Sequence, residues 1–150
     1  MGFDLSGMNP NMSRPEPHLP PFTERTDADW ETYHEWQDDN CGVYFRNNVW
    51  WWRPLWNFVS SVCESILTEK DIESGSYNDG HGISKTKANR IASRLFKLIR
   101  NGDVKAYEYA YRKHLDSLHK DNWDKSYPFS EDNVREFANF CLNSGGFRIC

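Results

Sequence analysis

The chain has 150 residues, 38% of them apolar and 15% aromatic, with 18 Lys and Arg against 22 Asp and Glu. That length suits a single domain over 1–150 that buries one core without a metal or disulfide staple, and a core built from a few large rings. The net charge of -4 gives no general attraction to nucleic acid or anionic membrane and leaves room only for a local basic patch, so neither direct DNA binding nor a membrane partner is expected.

In chain order, GFDLSG alternates Phe3 and Leu5 with polar neighbours, as a short strand does. Its expected partner is the C-terminal GGFRIC, with Phe147 and Ile149 on one face, so that the two ends form a small sheet at the edge of the molecule. MGFDLS also fits the permissive myristoylation pattern with Gly2 and Ser6. Residues 9–40 read as an insertion, a proline-rich extended loop followed by the acidic DADWETYHEWQDD. The acidic part predicts one short helix with Asp27 or Asp29 near its start and Trp30, Tyr33 and Trp36 available for docking.

After WWRP, Pro54 suits a first helical position, and Leu55, Phe58, Val59, Val62, Cys63 and Ile66 recur at helical spacing. Thr68 offers a cap for a short turn closing at Gly75, and Asp79-Gly80 marks a loop. Ser84 starts a helix with an Ala88, Ile91, Ala92, Leu95 stripe, its other faces filled by lysines and arginines. Asn101-Gly102 ends it. Asp103 is expected to cap the next helix, with Val104, Tyr107, Ala110, Tyr111, Leu115 and Leu118 at helical spacing. Ser130 caps the last, with Val134, Phe137, Ala138 and Cys141 inward. The fold class is therefore mostly α (α+β): about four main helices, one or two short ones, and a sheet from the terminal strands.

Two stretches carry candidate chemistry. In YFRNNVWWWRPLW, three consecutive tryptophans cannot all face one core, because neighbouring side chains diverge on any regular backbone. One reading makes a binding surface: Arg46 and Arg53 meet an anionic group, Trp51 stacks on a ring, and Asn47 and Asn48 fix orientation. The other makes a packed nucleus, with Arg53 flat on an aromatic face and the asparagines as caps. In SYNDGHG, the close spacing of Tyr77, Asn78, Asp79 and His81 permits a general base with its orienter, though turns are built of the same residues. The four cysteines, Cys41, Cys63, Cys141 and Cys150, lack C-x-x-C spacing. That spacing does not make a zinc site, and free, mostly buried thiols in a reducing compartment are expected. No cofactor fingerprint occurs.

The blocks MGFDLSGMNP, YFRNNVWWWRPLW, YNDGHGI, ANRIASRLFKLI and YPFSEDNVREFANFCLNSGGFRIC resemble a family of small uncharacterised proteins of bacteria and their phages. Some members of that family carry a Cys-rich, zinc-like insertion before YPFS. Here HKDNWDKS fills that place without a cysteine, so no metal role carries over. The family has no assigned reaction, and the resemblance implies an accessory binding role rather than a housekeeping enzyme. The expected function is a cytoplasmic, non-catalytic phage-type accessory protein that binds a host protein or a small anionic, nucleotide-like ligand through Arg46, Asn47, Asn48, Trp51 and Arg53 together with Tyr77, Asn78, Asp79 and His81 of the loop. Two alternatives stand beside it: a small hydrolase or transferase using His81 and Asp79, and a structural virion or assembly component.

Overall fold

Phe3 and Leu5 turn to one face of the first strand while Asp4 and Ser6 turn to the other. The computed structural model describes residues 1–150. It has four strands, β1 (Gly2–Gly7), β2 (Tyr44–Asn48), β3 (Gly82–Ile83) and β4 (Phe147–Ile149), in one antiparallel sheet of order β2-β1-β4-β3. Six α-helices accompany it: α1 (Asp27–Asp39), α2 (Val49–Val62), α3 (Glu69–Ser74), α4 (Lys85–Arg100), α5 (Asp103–Ser117) and α6 (Glu131–Asn143). Short 3-10 turns occupy Phe22–Glu24 and Trp123–Ser126.

The register places Leu5 opposite Phe45 on one side and Ile149 on the other. With Phe3, Ile83 and Phe147 these side chains are buried and join the inner faces of α2, α4 and α6 in one cluster of 24 buried residues. Each fully buried Leu, Ile or Phe contributes about 1.5–3 kcal/mol. The most extensive helix pair is α4 with α6. Ser84 and Ser130 cap these two helices through their hydroxyls.

The terminal strands do pair, but as the centre of the sheet rather than its rim. β2 and β3 flank them. β2 escapes a pattern reading because one of its inward positions is Asn47, a polar residue satisfied across the fold rather than an apolar one. The second correction concerns α2, which begins at Val49, not Pro54. Asn48 caps it by accepting from the Trp51 N–H at 3.1 Å. Pro54 lies inside the helix and withdraws one backbone bond near its start. Burial of Trp52, Leu55 and Trp56 on the same helix outweighs that loss. α5 is entered through Gly102 at φ 80°, with Asp103 as its first residue rather than its cap.

The proline-rich stretch is extended as expected, and it is tied down. Asn9 and Asn11 donate backbone N–H groups to the Ser144 and Asn143 carbonyls at 3.0 and 2.8 Å. The Ser13 N–H reaches the buried Asn40 side chain at 2.7 Å. α1 starts in a capping box between Thr26 and Asp29. It docks through Trp36, 3% exposed, whose indole donates to the Arg14 carbonyl at 3.1 Å. Trp30 and Tyr33 stay half-buried in a ring cluster with Phe22 and His34.

Candidate functional site

Helical spacing divides the tryptophan block. Trp52 and Trp56, four residues apart on α2, stack with centroids 5.3 Å apart. Trp52 is fully buried and donates its indole N–H to the Gly75 carbonyl at 2.7 Å, while Trp56 donates to Ile72 at 2.9 Å. Both clamp α3 to α2. Trp50 and Trp51, rotated away from that face, are only half-buried. Trp50 stacks on Trp123 at 5.9 Å and 12° and packs on Tyr127 at 5.0 Å. Trp123 itself is 73% exposed.

The polar members of the block are divided too. Arg46, on β2, sits 3.5 Å from Asp4. The same carboxylate accepts the Tyr44 hydroxyl. Burial together with this bond pushes the Tyr44 phenol up to about 12. Asn47 and Asn133 exchange amide hydrogen bonds at 3.0 and 2.8 Å, joining β2 to the start of α6. Asn48 is spent as the α2 cap. Arg53 differs from all of these. Exposed on α2, it donates to the Tyr127 hydroxyl at 2.9 Å and takes part in no ion pair.

Arg53 stands at a groove of about 330 Å³ between α2, α5 and the segment after Trp123. Tyr107 and Tyr111 of α5 form one wall, Arg53 and Asn57 of α2 another, and Asp124 and Tyr127 close the third side. The groove exists because α5 buries only Val104 completely. Its apolar stripe continues in tyrosines, and Tyr107 remains 39% exposed while its ring packs on Phe58 and Phe129 at 4.8 and 4.7 Å. Tyr111 donates its hydroxyl to the Tyr127 carbonyl at 2.6 Å. Partial burial raises both phenols above their ordinary value. Trp51 does not line this groove.

The SYNDGHG loop is built differently from the dyad that its spacing suggests. Asp79 accepts the His81 backbone N–H at 3.0 Å in an Asx-type turn, with Gly80 at φ 79°. The imidazole points elsewhere: His81 Nε2 lies 2.8 Å from Asp71 Oδ1 on α3. Asp71 also accepts from Lys87 Nζ at 2.5 Å and from the Thr68 N–H at 2.9 Å. Burial alone would raise this carboxyl, but the bonds from Lys87, His81 and Thr68 hold it well below the usual carboxylate range. Asn78 donates to the Gly2 carbonyl at 2.9 Å, and Tyr77 projects outward, 59% exposed. No residue of this loop lines the groove beside Arg53.

Asp71 and Lys87, the true neighbours of His81, carry only weak sequence signals. Thr68-x-x-Asp71 reads as a capping box, and Lys87 as one helix cation among six. Tyr107, Tyr111, Asp124 and Tyr127 were equally hidden, although tyrosines at positions where a core helix would carry leucine are a sign of a partly open face. All four cysteines are free. Cys63 and Cys141 are buried and Cys41 and Cys150 exposed, so half rather than most of the thiols are inside. Burial pushes the Cys63 thiol up to about 12 and the Cys141 thiol well above its ordinary value. No three His, Cys, Asp or Glu side chains are grouped to hold a metal ion, and no helix is long and apolar enough to cross a membrane.

Comparison with family models, with curated proteins and with solved structures found no match to the chain. The family resemblance therefore rests on its sequence blocks alone.

Proposed function

We propose that the protein is a non-catalytic accessory binding protein, cytoplasmic and of the phage type its sequence blocks suggest, whose groove takes a small anionic, nucleotide-like ligand. The observation that carries this reading is Arg53: an exposed guanidinium without a carboxylate partner, beside a groove walled by Tyr107, Tyr111 and Tyr127. A planar ring suits the tyrosine wall, an anionic group suits the remaining donors of Arg53, and Asp124 offers a carboxylate to a ring amino group. The groove volume of about 330 Å³ lies within the usual range of ligand clefts, roughly 300–1,000 Å³.

The hydrolytic alternative loses the pair it names, because Asp79 accepts the His81 backbone N–H while His81 Nε2 lies on Asp71, and neither His81 nor Asp79 lines the groove beside Arg53. A host protein presenting an acidic, aromatic segment would use the same chemistry as a nucleotide.

A thermal-shift screen against mononucleotides and cyclic dinucleotides tests the small-ligand reading. A ligand at about 100 times its dissociation constant adds about 2.7 kcal/mol of stability. Arg53→Ala is expected to weaken binding about 10- to 100-fold, the loss of a hydrogen bond to a charged group, while the unliganded melting temperature holds. If no nucleotide shifts the transition, or if the variant keeps the full shift, the small-ligand reading is wrong and the host-protein reading takes its place.

A further inference from the structure

The net charge conceals how the charges are distributed. α4 holds six of the 18 Lys and Arg residues, leaving 12 for the rest of the chain, which carries all 22 Asp and Glu. No acidic residue occurs between Asp79 and Asp103. Of the six, Lys87 turns inward to Asp71. Lys85, Arg90, Arg94, Lys97 and Arg100 are exposed, and none of them takes part in an ion pair.

Their placement is ordered. Arg90, Arg94 and Lys97 recur at helical spacing on one side of α4, and they line a shallow concavity of about 550 Å³ with Asn89 and Ser93 and with Ser65 from the turn after α2. Arg94 is fixed there by its Nε, which donates to the Val62 carbonyl at 3.1 Å at the end of α2. Its terminal nitrogens take no protein partner, and Ser65, Asn89 and Ser93 add neutral donors. Continued to Arg100, the row covers about 15 Å of helix, long enough to meet several phosphates of a duplex that carries one charge per about 1.7 Å of its axis.

We propose that this face of α4 binds the phosphate backbone of duplex nucleic acid without reading its sequence. It lacks the exposed aromatic rings that a single strand would stack on. It also lacks the exposed apolar row with which an amphipathic helix enters a lipid surface, since Ile91, Ala92 and Leu95 are buried in the core. No carboxylate lines the concavity, whose one acidic neighbour along the chain is the exposed Glu64 beside Ser65. The site is separate from the groove beside Arg53, and the two stand or fall independently.

Fluorescence anisotropy with a labelled random-sequence DNA duplex, over 50–200 mM salt, tests the proposal. With four phosphate contacts the logarithmic salt slope is about -3.6, so affinity falls about 100-fold over that range. Arg90→Gln/Arg94→Gln/Lys97→Gln is expected to flatten the slope to about -1. Arg90→Gln/Lys97→Gln, which leaves the Arg94 bond to Val62 in place, brings it to about -2. Lys105→Gln/Lys120→Gln removes the same charge as that double elsewhere and is expected to bind as the unaltered protein does. The proposal is overturned if the α4 variants bind as tightly as the parent, if the Lys105 and Lys120 control weakens binding equally, if no duplex binding occurs at 50 mM salt, or if phosphatidylserine vesicles are bound in preference to the duplex.

Discussion

Two arginines seven positions apart in one motif, Arg46 and Arg53, meet different neighbours. Arg46 on β2 lies opposite Asp4 of β1, its Nε 3.5 Å from that carboxylate in a solvent-exposed ion pair. Arg53 meets only a phenol and keeps its charge available. Asp71 is the other decisive residue. It is nearly buried, 3% exposed, and it joins α3 to His81 and to Lys87 of α4. Its carboxyl titrates below the usual range in the folded protein, so its contribution is fully present above the unfolded value of about 3.9. That contribution is lost as pH falls below about 4 toward the folded value. Asp71→Ala is expected to cost about 3 kcal/mol at pH 7, the low end for a broken buried pair because Lys87 and His81 retain access to water. Urea titrations of both proteins should show this gap narrowing between pH 4 and pH 2.5. A gap that stays constant over that interval would rule out the ionised carboxylate as its source.

Among the elements, α3 is short and is held from outside. The indoles of Trp52 and Trp56 donate to the carbonyls of Gly75 and Ile72. Gly75 is necessary to this approach, because a Cβ there would come within 2.0 Å of the Trp56 ring. Gly75→Ala is expected to cost about 3 kcal/mol, in the upper part of the range for overpacking. Gly82→Ala, with nothing within 4 Å of the added carbon, should change stability by less than about 0.5 kcal/mol. Urea midpoints of the two variants make the comparison.

The helices α4 and α6 were legible because their serine caps and apolar stripes agree with each other. The terminal strands were legible by alternation. β2 was not, since Asn47 faces inward against Asn133 where the pattern calls for an apolar side chain. The start of α2 is masked by Pro54, which usually signals a first turn, whereas the Asn48 cap and the buried Trp52 carry the helix back to Val49. Of the candidate site, Arg53 was legible and its surroundings were not: Tyr107, Tyr111 and Tyr127 reach it only through the packing of α5 and the segment after Trp123. The pairing of His81 with Asp71 likewise depends on a contact between separate elements, which the nearby Asp79 masked.

Across the whole molecule, the central strand pair joins residues 2–7 to residues 147–149. Phe147 and Ile149 are fully buried, and the Cys150 and Asp4 backbones exchange bonds at 2.7 and 2.9 Å. Removing residues 147–150 is therefore expected to abolish cooperative unfolding, checked by thermal melting followed with near-ultraviolet circular dichroism, rather than merely to lower the midpoint.

The same arrangement sets an order in time during synthesis. β1 leaves the ribosome well before β4, since Gly7 and its register partner Phe147 lie 140 residues apart, so the inner side of Phe3 and Leu5 is left to transient cover until that distant strand arrives.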